Sequence, residues 1–115
     1  MQVREIEDAG LPVLQLTGEI DLHRSPELRA VLQNHVKART PALAVDFSAV
    51  EYIDSSGLAT FVEYLRNAQS FGGRIVLVGL SPRVRTIFDL VRLGEILPIA
   101  ANLAEARAAL HSPPS

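Results

Sequence analysis

Val50-Glu51-Tyr52-Ile53-Asp54-Ser55-Ser56-Gly57-Leu58-Ala59 is where the chain changes its periodicity. Before it, Ala42 to Phe47 is nearly all apolar, the pattern of a strand covered on both faces. After it, Leu58, Phe61, Val62, Leu65 and Ala68 recur at helical spacing. Two adjacent hydroxyls therefore stand where a helix begins. The first N–H groups of a helix lack intrahelical partners and the helix dipole is positive there. Asp54 or a serine can cap such an end, and a phosphate on that serine would be well received.

Outward from this junction the chain alternates strands and helices. Val3 to Ile6 alternates as an edge strand would, Asp8-Ala9-Gly10-Leu11-Pro12 supplies a turn, and Val13 to Thr17 completes a hairpin. Gly18 to Arg24 reads as a polar connection. Ser25-Pro26-Glu27 is a helix start, with a capping hydroxyl, proline at the first helical position and an acid in the first turn. That helix should bury Leu28, Val31, Leu32, His35 and Val36 and end at Thr40-Pro41. Downstream, Gly72-Gly73 stops the second helix, and Arg74 to Gly79 is a buried strand. Ser81-Pro82 opens a third helix that presents Val84, Ile87, Phe88 and Val91 to the core. Ile96 to Ile99 is a short edge strand, and Asn102 caps a last helix burying Leu103, Ala106 and Leu110. The order is β-β-α-β-α-β-α-β-α, which predicts an α/β fold: a mixed, mostly parallel sheet of about five strands with about four helices. In such sheets, sites form in the loops beyond the carboxyl ends of the strands, where Asp54 to Gly57 lies.

Composition bounds the class. At 115 residues, 48% hydrophobic against 21% charged, the chain is one soluble globular domain rather than a disordered one. Residues 3–110 should form that domain, with a loose tail from His111 to Ser115. Apolar runs such as Ile75 to Val78 are far too short to cross a bilayer, so no membrane insertion is expected. Met1 to Glu7 shows no signal or transit pattern, and the absence of cysteine fits a cytoplasmic location. Net charge is −2 and the arginines are scattered, which argues against nucleic acid as a partner.

Candidate chemistries thin out quickly. Asp46 near a strand end invites a phospho-aspartate reading, but that also needs a lysine late in the sheet, and the only lysine is Lys37 in the first helix. The serines lie in no G-x-S-x-G elbow, and His23, His35 and His111 fall far apart, so neither a nucleophile triad nor a metal site is indicated. No glycine-rich phosphate loop is present, and no cofactor is expected. Gly57 is harder to place. It costs helix stability in a first turn, and its bare Cα would let a partner's backbone or a phosphate donor approach closely. Arg83, Arg85 and Arg92 lie in or near the third helix, where a solvated face is the plain reading and partner docking the minority one. Asp21 shares a loop with Glu19, His23 and Arg24 on the same edge as Ser55, and turn chemistry explains it about as well as partner contact does.

Over about residues 3–110 the chain resembles the STAS domain, shared by sulphate transporters and anti-sigma factor antagonists. The resemblance is carried by Gly18-Glu19-Ile20-Asp21, Val45 to Val50 leading into Ile53-Asp54-Ser55-Ser56-Gly57-Leu58, Gly72-Gly73, and Ser81-Pro82 through Phe88-Asp89-Leu90. It implies a bacterial, non-catalytic protein-binding switch of the anti-anti-sigma type. In that family the serine directly after the aspartate is phosphorylated by the cognate anti-sigma factor, a serine kinase with a histidine-kinase-like ATP-binding fold, and is freed by a metal-dependent phosphatase. Here that serine is Ser55. Unphosphorylated, the antagonist captures the anti-sigma factor and releases the sigma factor. The resemblance makes Asp21, Asp54, Ser55, Ser56, Gly57 and Leu58 the expected partner-binding residues. It also implies an alternative, a cytosolic component of lipid-moving ABC complexes in which no serine need be phosphorylated.

Overall fold

Ala9 and Gly10, both with positive φ (52° and 84°), fold the first strand, β1 (Gln2–Asp8), back on β2 (Leu11–Ile20) as an antiparallel hairpin. The computed structural model describes residues 1–111. After the hairpin come α1 (Ser25–Lys37), β3 (Ala42–Ile53), α2 (Ser55–Gln69), β4 (Arg74–Val78), α3 (Pro82–Leu90), β5 (Ile99–Ala100) and α4 (Leu103–His111). A short 3-10 turn, Leu93–Glu95, separates α3 from β5. The predicted α/β order is therefore observed. The predicted tail keeps His111 at the end of α4, and Ser112 to Ser115 lie outside the described residues.

The five strands lie in chain order, β1-β2-β3-β4-β5, with every pair after the hairpin parallel. Alternating side chains divide between two cores, which explains why the central strands read as apolar on every residue. Leu43, Val45 and Phe47 of β3 with Ile75 and Leu77 of β4 join Leu28, Leu32, Phe61, Val84 and Phe88 from α1, α2 and α3. Val13, Ala44, Val76 and Val78 point the other way, where α4 covers them with Ala106. Phe47 is the junction on the first face. Its ring lies 5.4 Å from that of Phe61 and 5.9 Å, edge-on, from that of Phe88, tying α2 and α3 to the central strand.

The largest departure from expectation concerns strand length. Gly18-Glu19-Ile20 is strand rather than polar connection, and β3 runs through Ser48-Ala49-Val50 to Ile53. β4 accompanies β3 only as far as the Asp46–Val78 pair. Beyond it, β2 and β3 continue together to the Ile20–Ile53 pair, with irregularities at Gln15/Thr17 and Gly18/Glu19. Gly18, at φ 83°, supplies the backbone conformation that one of these breaks requires. A two-stranded ribbon thus projects past the rest of the sheet and carries the two loops of interest at its tip.

Other boundaries shift for local reasons. Ser25 is not the cap of α1 but a buried residue of its first turn, and Arg24 holds the cap position without a side-chain bond. Arg92 takes a left-handed φ of 59°, so α3 ends at Leu90 and Val91 is exposed rather than core-facing. The last strand begins at Ile99 instead of Ile96. Pro98 has no N–H to donate and joins the ladder only through its carbonyl, which accepts from Leu77 N–H at 2.9 Å. On α2 the buried stripe includes Thr60 and Tyr64, while Val62 and Leu65 are half-buried.

Candidate functional site

The tip of the β2–β3 ribbon brings the Asp21 and Asp54 loops side by side. They are directly joined, since Asp54 N–H donates to the carbonyl of Ile20 at 3.0 Å. In the first loop, Asp21 Oδ1 accepts from His23 N–H and Arg24 N–H, both at 3.1 Å, and its carbonyl accepts from Ser25 N–H at 2.8 Å. Asp21 therefore shapes the entry to α1, the turn role open to it from the sequence.

In the second loop Asp54, in extended backbone, caps α2. Its Oδ1 accepts from Ser56 N–H at 2.9 Å and Gly57 N–H at 3.2 Å, and the Ser56 hydroxyl donates to the same oxygen at 2.5 Å. These bonds separate the two serines. Ser56 is half-buried with its hydroxyl committed to the cap. Ser55 occupies the first helical position, is exposed, and its hydroxyl has no hydrogen-bond partner among the described residues. The hydroxyl free to react at this helix end is that of Ser55.

Gly57 corrects an expectation. A Cβ on it would lie 2.7 Å from Ile20 Cγ2 and 2.7 Å from Ile53 Cγ1, so the missing side chain admits the protein's own ribbon and not a partner's backbone. Gly57 and Leu58 are both buried. Of the six expected partner-binding residues, these two fix the seat of α2. Ser55 is exposed, and Asp21, Asp54 and Ser56 are half-buried.

Two exposed apolar side chains at the tip were not singled out from the sequence. Leu22 is 70% exposed between Asp21 and His23, and Tyr52 is 37% exposed two residues before Asp54. The guanidinium of Arg83, exposed on α3 as expected, stands 5.8 Å from the centre of the Tyr52 ring, a cation–π contact that also ties it to the ribbon. An apolar residue inside an otherwise polar loop was the available signal for Leu22. Nothing in the sequence marks Tyr52, because the apolar strand pattern ends at Phe47 while β3 runs on to Ile53. The Asp46 carboxylate accepts from Ser48 N–H at 2.9 Å, a local side-chain-to-backbone bond within β3. Among the described residues no three His, Asp or Glu side chains converge as a metal site would need.

The carboxyl of Asp54 is held below its usual value. Burial works against ionisation, but the bonds from the Ser56 hydroxyl and from the backbone N–H groups of Gly57, Ser56 and Leu22 outweigh it. A depressed folded-state pKa contributes stability that is present above the unfolded-state value and is lost as pH falls through the folded one. Asp54→Ala should therefore cost about 0.5–2 kcal/mol at neutral pH through loss of the cap. The gap from wild type should narrow once pH drops below the ordinary aspartate value of about 3.9. Urea unfolding of both proteins across that range checks this, and a pH-independent gap would contradict it.

The STAS domain family model matches residues 1–106. The chain is similar to the anti-sigma-B factor antagonist of Bacillus subtilis, 33% identical over 77% of this chain and 81% of the relative. It is also similar to that of Listeria monocytogenes, 31% identical over 73% and 74%. The crystal structure of an anti-sigma factor antagonist from Mycobacterium paratuberculosis superposes with a TM-score of 0.87 at 27% identity, covering 96% of this chain and 94% of that one. A match across nearly the whole sheet, including the ribbon and both loops, leaves no ambiguity about descent: the chain belongs to the STAS domain family.

Proposed function

We propose that this chain is an anti-sigma factor antagonist whose partner-binding surface is the ribbon tip, switched by phosphorylation of Ser55. The observation that carries the reading is the division of labour between the two serines. Asp54 and Ser56 build the cap, and Ser55 presents an exposed, unbonded hydroxyl at the N-terminus of α2. A phosphate there would bring about −1.5 to −2 charge to a helix end that favours anions and to a neighbouring carboxylate that repels them. No bond of the fold need break, so the modification changes the surface and leaves the scaffold standing.

The partner implied is an anti-sigma factor acting as a serine kinase, bound when Ser55 is free and released when it is phosphorylated, with a metal-dependent phosphatase restoring the free form. The chain itself then acts by binding and needs no catalytic residue or cofactor of its own. Residues 3–110 form the switch, which works in the cytoplasm; among the described residues no helix is long and apolar enough to cross a membrane. A role in a lipid-moving ABC complex is the less supported reading, because the curated relatives above carry the antagonist name.

Incubation with the cognate kinase and ATP, followed by phosphopeptide mass spectrometry, should place the phosphate on Ser55. Label confined to another residue, Ser56 included, would overturn the switch assignment.

A further inference from the structure

Arg83 is partnered by a ring and not by an acid. Its guanidinium lies 5.8 Å from the centre of the Tyr52 ring, and it makes no ion pair among the described residues. Arg85, on the same helix, is instead bonded to Asp89 at 3.3 Å, one turn along. The place is also an unfavourable one for a cation. Arg83 follows Pro82 in the first turn of α3, where the helix dipole is positive, and that turn contains no acidic residue. Nor does α3 depend on Arg83 to be held, since Ser81 caps it and Val84 and Phe88 bury its inner face. Both members of the pair meet solvent, with Tyr52 37% exposed and Arg83 exposed.

We propose that Tyr52 and Arg83 form a second anchor of the partner-binding surface, in which Arg83 receives a carboxylate of the anti-sigma factor. The inference rests on the reading of the ribbon tip as that surface, and it carries the footprint beyond the Ser55 loop onto α3. The two regions are continuous, because Tyr52 stands on β3 two residues before the Asp54 that caps α2. Tyrosine and arginine are among the residue types that dominate interface energies. Here each restrains the other, so less side-chain freedom is lost on docking. Contact with a ring leaves N–H donors of the guanidinium open to a carboxylate. The helix end that disfavours the bare cation favours the acid that would pair with it. Arg83 lies outside the loop that carries Ser55, so this anchor would serve the choice of partner and not the switching.

Titration of the intact chain with the cognate anti-sigma factor tests this. Arg83→Ala should weaken binding by about tenfold and Arg83→Glu by about 100-fold, the second through a like-charge clash. Neither change should lower the melting temperature, since both remove a cation from the first turn of a helix. Unchanged affinity of Arg83→Glu overturns the proposal. A loss of affinity accompanied by a fall in melting temperature also overturns it, because the ring contact would then be structural. Ser55→Glu measured in parallel keeps the two readings apart. If Ser55→Glu loses affinity and Arg83→Glu does not, the second anchor fails and the switch stands. If Arg83→Glu alone loses affinity, the anchor stands and the switch at Ser55 fails.

Discussion

Ser55→Asp or Ser55→Glu should weaken binding of the anti-sigma partner by about 100-fold or more, while Ser55→Ala should bind as tightly as the unmodified protein. The expected loss follows from where the charge would go. A surface docked around Leu22, Tyr52 and Ser55 removes water from the tip, and a carboxylate trapped there without a counter-charge costs about 3 kcal/mol, which is about two decades in affinity. Alanine leaves no such charge, and the Ser55 hydroxyl it deletes bonds nothing among the described residues. The free protein should hardly notice either change. An acid at the first helical position gains about 0.3–1 kcal/mol from the helix dipole, partly cancelled by Asp54 next to it. Calorimetric titration with the partner, paired with a melting curve for each variant, separates the two effects. Equal affinity of Ser55→Glu and wild type would remove Ser55 from the interface. A fall in affinity accompanied by a fall in melting temperature would point to damage of α2 instead.

The same residues show why some of this molecule could be read before its structure was seen and some could not. Element order was legible because the central strands are apolar on every residue and the helices carry strong local starts, such as Ser81, whose hydroxyl accepts from Val84 N–H at 3.2 Å as its position before Pro82 suggests. Strand length was not. Ser48, Glu51 and Tyr52 look like loop residues because the far end of β3 has β2 beside it and no β4, so half its side chains meet solvent. Two-sided burial is a tertiary fact, and periodicity alone cannot tell where it stops. For the same reason Ser25 resembles a cap: Ser-Pro opens both helices, but at α1 the chain arrives already turned by Asp21, and the N–H groups of Glu27 and Leu28 that a Ser25 cap would receive go to the carbonyl of Arg24. The Asp-Ser-Ser-Gly sequence located the site, yet only the bonds of Asp54 distinguish the hydroxyl that builds the cap from the one that is free.

Gly57→Ala should destabilise the protein by about 1–2 kcal/mol and lower the melting temperature by about 5 °C or more, against the direction that helix propensity alone would give. In an open helix the change would gain up to about 1 kcal/mol. Here the new methyl would sit 2.7 Å from carbon atoms of both Ile20 and Ile53, branch atoms close to the backbone rather than the loose ends of long side chains. Overpacking of that kind costs about 1–3 kcal/mol, and it exceeds the gain from propensity. The clash also has a direction. Ile20 and Ile53 are the paired last residues of β2 and β3, so relief requires the first turn of α2 to lift from the ribbon tip, which strains the Asp54 cap and moves Ser55. Partner affinity should therefore fall together with stability, although Gly57 itself is buried. A double-mutant cycle isolates the cause. Ile53→Ala alone should cost about 2–5 kcal/mol as a core truncation, but in that background Gly57→Ala should cost distinctly less, because one of its two clashes has gone. An undiminished cost would show that the glycine answers to something other than the packing of α2 on the ribbon.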